Sequence, residues 1–202
     1  MVLAGGVGAA RYLSGLIQVV DPIDVVAVVN TGDDTELHGL SISPDIDTVI
    51  YTLSGSIDQG RGWGLHNETW RAMEALERFE SVRPAGSSAA PRWFNLGDTD
   101  LATHFYRTAR VREGATLQQI TSELRTAFGL TVTVVPMSND PVRTIVHLED
   151  GPVPFQEYFV RLQHNVPVTR VEFVGAESAT FIDHTLLTDA ETIVIAPSNP
   201  IV

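Results

Sequence analysis

Within thirty residues the chain passes from a short apolar run at 2–4 into Gly5-Gly6-Val7-Gly8, then a helix-compatible stretch over 9–19, then the β-branched run IDVVAVVN at 23–30. That order predicts a strand, a glycine turn, a helix and a buried parallel strand. It restricts the chain to the α/β class more tightly than any other feature of the sequence. Glycine lets backbone N–H groups approach an anion, and the helix that follows directs its positive end at the same point. The spacing is neither a full G-x-G-x-x-G fingerprint nor a P-loop, so the turn alone is either a phosphate cradle or a tight connection.

Further apolar runs at 130–135, 144–148, 168–174 and 192–196 read as strands, and helical patterns occupy 67–79, 100–110 and 117–127. The alternation predicts a three-layer, doubly wound, Rossmann-like α/β fold with a mostly parallel sheet. A helix-rich insertion is expected over about residues 48–130 of a single domain spanning 1–202, and PAGSSAAP at 84–91 is expected to be a surface loop. The last strand runs into Pro197-Ser198-Asn199-Pro200, a turn of the kind found at a strand's C-terminal end, which leads us to expect that the chain is truncated at its C-terminus.

Composition narrows the chemistry. The 202 residues carry a net charge of -12, which argues against nucleic acid as a partner. All 13 basic residues are arginine, so amine chemistry is absent, and with no cysteine any metal must be held by oxygen or histidine. The chain contains no run of about 18 apolar residues and no signal-peptide pattern, so no membrane association and a cytoplasmic location are expected. No G-x-S-x-G, H-E-x-x-H or Cys/His pair supports hydrolase or zinc-peptidase chemistry.

Polar residues gather at predicted strand exits. Asn30-Thr31-Gly32-Asp33-Asp34 follows the second strand, and Ser43-Pro44-Asp45-Ile46-Asp47 follows soon after. Carboxylates so placed suit Mg²⁺, which takes one or two of them and completes its shell with water and phosphate. Asp33 and Asp45 are the first choices as ligands, although Asp at such places also serves as a turn former or helix cap. A second cluster, Asn95 to His104, holds Gly97-Asp98 at a helix start and His104 one turn into that helix, while Trp63, Tyr51 and Trp70 are candidates for stacking on a planar ring.

Taken together, GGVGAAR, VVNTGDD, SPDIDTVIYTL, RGWG, NETW, LGDTDLATH, PMSNDPVRT, FQEYFVR and APSNPIV resemble, in order and spacing, the CofD/FbiA family of 2-phospho-L-lactate and phosphoenolpyruvate transferases of coenzyme F-420 biosynthesis. The resemblance implies a Mg²⁺-dependent phosphotransferase. Its donor would be a guanosine diphosphate ester of a three-carbon acid, its acceptor the hydroxyl of 7,8-didemethyl-8-hydroxy-5-deazariboflavin, and its second product GMP. It places Gly5, Gly6, Gly8, Ser198 and Asn199 at the nucleotide and phosphate, and Asp33 and Asp45 at the metal and the catalytic centre. Asp45, Asn95, Asp98, His104 and Trp63 fall on the deazaflavin side. The glycine turn is closer to the bacterial than to the archaeal pattern, which tilts the donor toward phosphoenolpyruvate, and a homodimer is expected. Two other readings compete: a nucleotide-binding regulatory protein of the gluconeogenesis-factor type, and a generic Rossmann oxidoreductase, disfavoured by the incomplete fingerprint.

Overall fold

The opening unit folds as β1 (Val2–Ala4), α1 (Val7–Leu16) and β2 (Val26–Val29). A 3-10 turn, Pro22–Asp24, returns the chain into β2, capped by the Asp21 carboxylate, which accepts from the Ile23 N–H at 3.1 Å. There follow the hairpin β3 (Thr35–Leu37) and β4 (Leu40–Ile42), then α2 (Pro44–Leu53), α3 (Arg71–Glu77), α4 (Asp100–Arg112) and α5 (Leu117–Ala127). β5 (Thr133–Pro136), β6 (Arg143–Leu148), β7 (Gly151–Pro154), β8 (Arg170–Val174), α6 (Thr185–Asp189) and β9 (Val194–Ile195) complete the order. This computed structural model describes residues 1–85, 87, 89–91 and 93–198. The loop expected over 84–91 therefore lies partly outside the described residues, at 86 and 88.

The central sheet has the order β5-β2-β1-β9, with every pair of neighbours parallel. Counted along the chain, its strands stand third, second, first, fourth, so the winding reverses direction between β1 and β9. The crevice outside the strand ends at such a reversal is where open α/β sheets bind ligands. Burial explains the strand composition. Val25, Ala27 and Val29 share one face and join a cluster with Ala9, Ala10 and Leu13 of α1, Ile46, Val49, Ile50 and Tyr51 of α2, and Ile120 and Leu124 of α5. Val28 on the opposite face is only 3% exposed, so that face is covered too. A strand buried on both sides has no polar alternation, which is what IDVVAVVN shows.

One sequence expectation needs correction. Residues 144–148 and 168–174 are strands, but they do not enter the parallel sheet: β6 and β8 pair antiparallel with each other, and β7 pairs antiparallel on the other side of β6. The cause is local. Leu148 opposes Gly151, so Glu149-Asp150 forms a two-residue hairpin loop, and β6 alternates buried Thr144 and Val146 with more exposed neighbours, as a one-faced strand does. α2 and α5 pack in the main core, whereas Leu40, Ile42, Met73, Leu96 and Leu101 form a small second cluster joining the β3–β4 hairpin, α3 and the start of α4.

Candidate functional site

The reversal crevice is built by three chain segments. After β1, Gly5 and Gly6 lead into α1, whose first amides have no helical acceptor and are available to an anion. After β9, Pro197 and Ser198 pass so close that a Cβ at Gly5 would lie 2.5 Å from Ser198 Oγ, and one at Gly8 2.5 Å from the Pro197 carbonyl oxygen. From the third side, the first turn of α2 brings Asp45 in: a Cβ at Gly6 would sit 2.5 Å from Asp45 Oδ1. α2 begins there because Ser43-Pro44 places proline in the first helical turn, with Asp45 and Asp47 favoured beside the positive helix end. The structure thus brings together Gly5, Gly6, Gly8, Asp45 and Ser198. Asn199 lies outside the described residues.

Asn30, at the exit of β2, holds the acidic side in place. Its amide donates to Asp45 Oδ2 at 3.0 Å, and its carbonyl oxygen accepts from the Gly32 N–H at 3.0 Å. This single side chain therefore couples the Thr31-Gly32-Asp33-Asp34 turn to Asp45. Asp34 accepts from the Ser43 hydroxyl at 2.9 Å, while Asp33 Oδ1 and Asp34 Oδ1 are buried with no partner among the described residues. Burial, then the charges of Asp45 and Asp34, push the Asp33 carboxyl up to about 7. Burial pushes Asp34 up to about 7 as well, against the lowering pull of Arg107 and Ser43. Asp45 is raised by burial to about 6, offset in part by Asn30.

Three buried carboxylates beside an anion cradle make a candidate cation site. Among the described residues no three Asp, Glu or His side chains converge into a ready-made cage. The orphaned oxygen of Asp33 and the neighbouring Asp45 instead fit an ion that uses one or two carboxylates and takes its remaining ligands from phosphate and water, as Mg²⁺ does. The electrostatics carry a testable sign. Each raised carboxyl is protonated in the folded state where the unfolded chain has released its proton, so its stabilising contribution is complete below the ordinary value of 3.8 and is lost as pH rises through about 6 to 7. Without divalent metal, the thermal midpoint is expected to fall by roughly 5–10 °C between about pH 5 and about pH 8. Millimolar Mg²⁺ is expected to restore part of that loss at the higher pH, as a melting series with and without EDTA would measure.

The glycines make separable demands. Gly8→Ala drives a methyl against a backbone oxygen and is expected to cost about 1–3 kcal/mol, although alanine is the better helix former. Gly6→Ala meets the Asp45 carboxylate, which must turn away and give up its bond to Asn30, so its thermal midpoint should fall less than that of Gly8→Ala while the stabilisation by Mg²⁺ is lost. Parallel melts of the two variants test this contrast.

Other residues from the sequence reading have different surroundings. Asp98 caps α3: it accepts from the Thr69 hydroxyl and from the Arg71 and Ala72 N–H groups at 3.1 and 3.0 Å, and these bonds hold its carboxyl below the usual range. Glu68 returns the favour at α4, accepting from the Thr99 and Asp100 N–H groups at 2.8 and 2.7 Å. His104 is 1% exposed, with Nε2 3.4 Å from Asp100 and Nδ1 3.1 Å from Arg107, so the structure makes it an interior residue rather than one facing a ligand. Asn95 is exposed in the loop before α4 and makes no hydrogen bond among the described residues. Trp63 is half-exposed and follows Gly62, where a Cβ would lie 3.9 Å from Val7 of α1. Residue reasoning missed Arg107 and Asp47, a buried ion pair beneath the acidic turn. It also gave Asn30 no role, although an amide at a strand exit two residues before a glycine is a recognisable turn signal.

Over residues 1–202 the chain matches the profile of the family described as 2-phospho-L-lactate transferase CofD. It is 42% identical over 220 residues to the phosphoenolpyruvate transferase of Mycobacterium ulcerans (strain Agy99), with 100% of this chain and 64% of the relative covered. It is 43% identical over 208 residues to the phosphoenolpyruvate transferase of Streptomyces coelicolor, covering 100% of this chain and 63% of that protein. The chain thus spans a little under two thirds of the length of these curated relatives. In fold it is similar to a upf0052-family protein from Bacillus halodurans, with a TM-score of 0.56 and 18% identity over 97% of this chain and 57% of the other. Among the described residues, no helix is long and apolar enough to cross a membrane.

Proposed function

The chain belongs to the CofD family of 2-phospho-L-lactate transferases, and from that premise we propose that its crevice moves a phosphoenolpyruvyl or 2-phospholactyl group from the guanosine diphosphate ester to the hydroxyl of 7,8-didemethyl-8-hydroxy-5-deazariboflavin. The new bond joins the acceptor oxygen to the phosphorus bearing the three-carbon acid; the bond to the bridging oxygen breaks, GMP leaves, and the hydroxyl gives up its proton. The observation that carries this reading is the placement of Asp45 directly against the Gly5-Gly6 turn at the sheet's point of reversal.

The roles follow from the surroundings of each group. The first amides of α1 bind phosphoryl oxygens, and Gly5, Gly6 and Gly8 are glycine because side chains there would collide with Ser198, Asp45 and Pro197. Asp33 and Asp45 are the residues that would hold Mg²⁺, which offsets diphosphate charge as it develops on the leaving group. Asn30 fixes the rotamer of Asp45, and Ser43 fixes Asp34. An acidic chain without lysine thereby accommodates an anionic donor. The relatives named phosphoenolpyruvate transferase favour phosphoenolpyruvate as the three-carbon acid.

A fluorescence titration of the deazaflavin with the protein, with and without Mg²⁺ and GDP, tests the reading. Saturable binding that responds to both additives is the expected result. GDP binding without any deazaflavin binding would overturn it in favour of a nucleotide-binding regulatory protein.

A further inference from the structure

The helix that follows the glycine turn carries a cation that the scheme above leaves unused. Val7 and Arg11 stand four residues apart on α1 and so share one face of the helix, and both are exposed. The turn Arg61-Gly62-Trp63-Gly64 lies against that face: a Cβ at Gly62 would be 3.9 Å from Val7 Cγ1 and 3.8 Å from an Arg11 guanidinium nitrogen. Gly62 and Gly64 have φ of +78° and +67°, the left-handed region that lets the turn fold so tightly.

The two arginines at this contact differ in what they already satisfy. Arg61 pairs with Asp58 at 3.1 Å, donates to the Leu65 carbonyl at 2.9 Å, and lies 5.4 and 5.2 Å from the ring centres of Trp63 and Trp70. It is fully engaged in building the turn. Arg11 has no hydrogen bond or ion pair among the described residues; Val7, on its own helix face, is 40% exposed, and Trp63, next in the chain to Gly62, is 45% exposed. Carboxylates thus stand on the Asp33 and Asp45 side of the glycine turn, and a guanidinium with no partner among the described residues stands one turn along α1.

We propose that Arg11 recognises the carboxylate of the donor's three-carbon acid, while Val7 and Trp63 cover the acid's apolar atoms. The proposal rests on the transferase reading. In a 2-phosphorylated three-carbon acid the carboxylate is close to the phosphate, so its partner must stand about one helical turn, 5.4 Å, from the phosphate cradle. Arg11 is one turn along α1 from Val7. A planar guanidinium meets a carboxylate through two parallel hydrogen bonds, a geometry that a single amide at the helix end does not offer.

The test compares wild type, Arg11→Gln and Arg11→Lys for binding of the guanosine diphosphate ester, binding of GDP, and transfer. Arg11→Gln is expected to weaken the ester about ten- to a hundredfold, with GDP affinity held within about twofold and the effect on transfer falling on KM rather than kcat. Arg11→Lys is expected to recover part of the loss. Unchanged ester affinity would overturn the proposal, as would GDP weakening by as much as the ester, since Arg11 would then contact the diphosphate. Wild type that fails to bind the ester sinks it as well. Ester binding that depends on Arg11 without transfer to the deazaflavin upholds the proposal and removes the transferase reading alone.

Discussion

Asp45→Asn is expected to lower transfer at millimolar Mg²⁺ by about a thousandfold while leaving the thermal midpoint unchanged or higher. The two halves of this result have one cause. Asparagine keeps the shape of the side chain and an oxygen able to accept from Asn30, so the link between α2 and the exit of β2 survives. What it removes is an ionisable carboxyl that burial has raised to about 6, and whose charge adds to burial in raising Asp33 to about 7. At neutral pH and above, that charge costs stability in the metal-free fold, so its loss should relieve the crowding. Under the proposed scheme the charge that destabilises the metal-free fold is also the one that would attract a divalent ion. Single-turnover transfer and melts at about pH 8 check both halves. Turnover equal to wild type would remove Asp45 from the chemistry.

The parts of this architecture legible in the sequence are those set by local periodicity. β1, the glycine turn, α1 and β2 follow from an apolar run, glycines, a helical stretch and β-branched residues, and the observed α5 coincides with the helix expected at 117–127. Sheet membership was not legible, because a short apolar run has the same appearance whether it pairs parallel or antiparallel. The β3–β4 hairpin was hidden by its turn, His38-Gly39, where histidine occupies a positive φ of 56° in place of the usual asparagine. α2 had readable signals, with Ser43 before Pro44 and acids in the first turn. At the site, the strand exits near Gly5, Asp45 and Ser198 were individually visible, but their convergence depends on the 3-2-1-4 winding. The cap made by Asp98 depends on a segment distant in sequence, from Thr69 to Ala72, and the burial of His104 depends on the packing of its helix against the elements around it. Nothing in the run around LGDTDLATH distinguishes a helix cap and a buried imidazole from ligand contacts.

Arg107→Met should be the most damaging single change to the fold, costing about 3–5 kcal/mol and lowering the thermal midpoint by roughly 10 °C. Arg107 is 1% exposed and ties three elements together: it pairs with Asp47 on α2, donates to the Ser41 carbonyl of β4 at 3.4 Å, and lies 3.1 Å from His104 on its own helix. Methionine fills much the same volume, so the penalty comes from the carboxylates left behind rather than from a cavity. Asp47, 5% exposed, loses its counter-ion, and Asp34 loses the positive charge that most opposes its burial. The double variant Asp47→Asn/Arg107→Met separates the possible causes. If stranded charge is the cause, removing the Asp47 charge as well should recover a large part of the midpoint, and the two substitutions will be strongly non-additive. Additive losses would mean that Arg107 stabilises through packing and its bond to Ser41 instead. The same pair bears on the crevice, because Asp47 is two residues along α2 from Asp45: an ion pair that fixes the first turns of α2 also fixes the angle at which Asp45 meets the glycine turn.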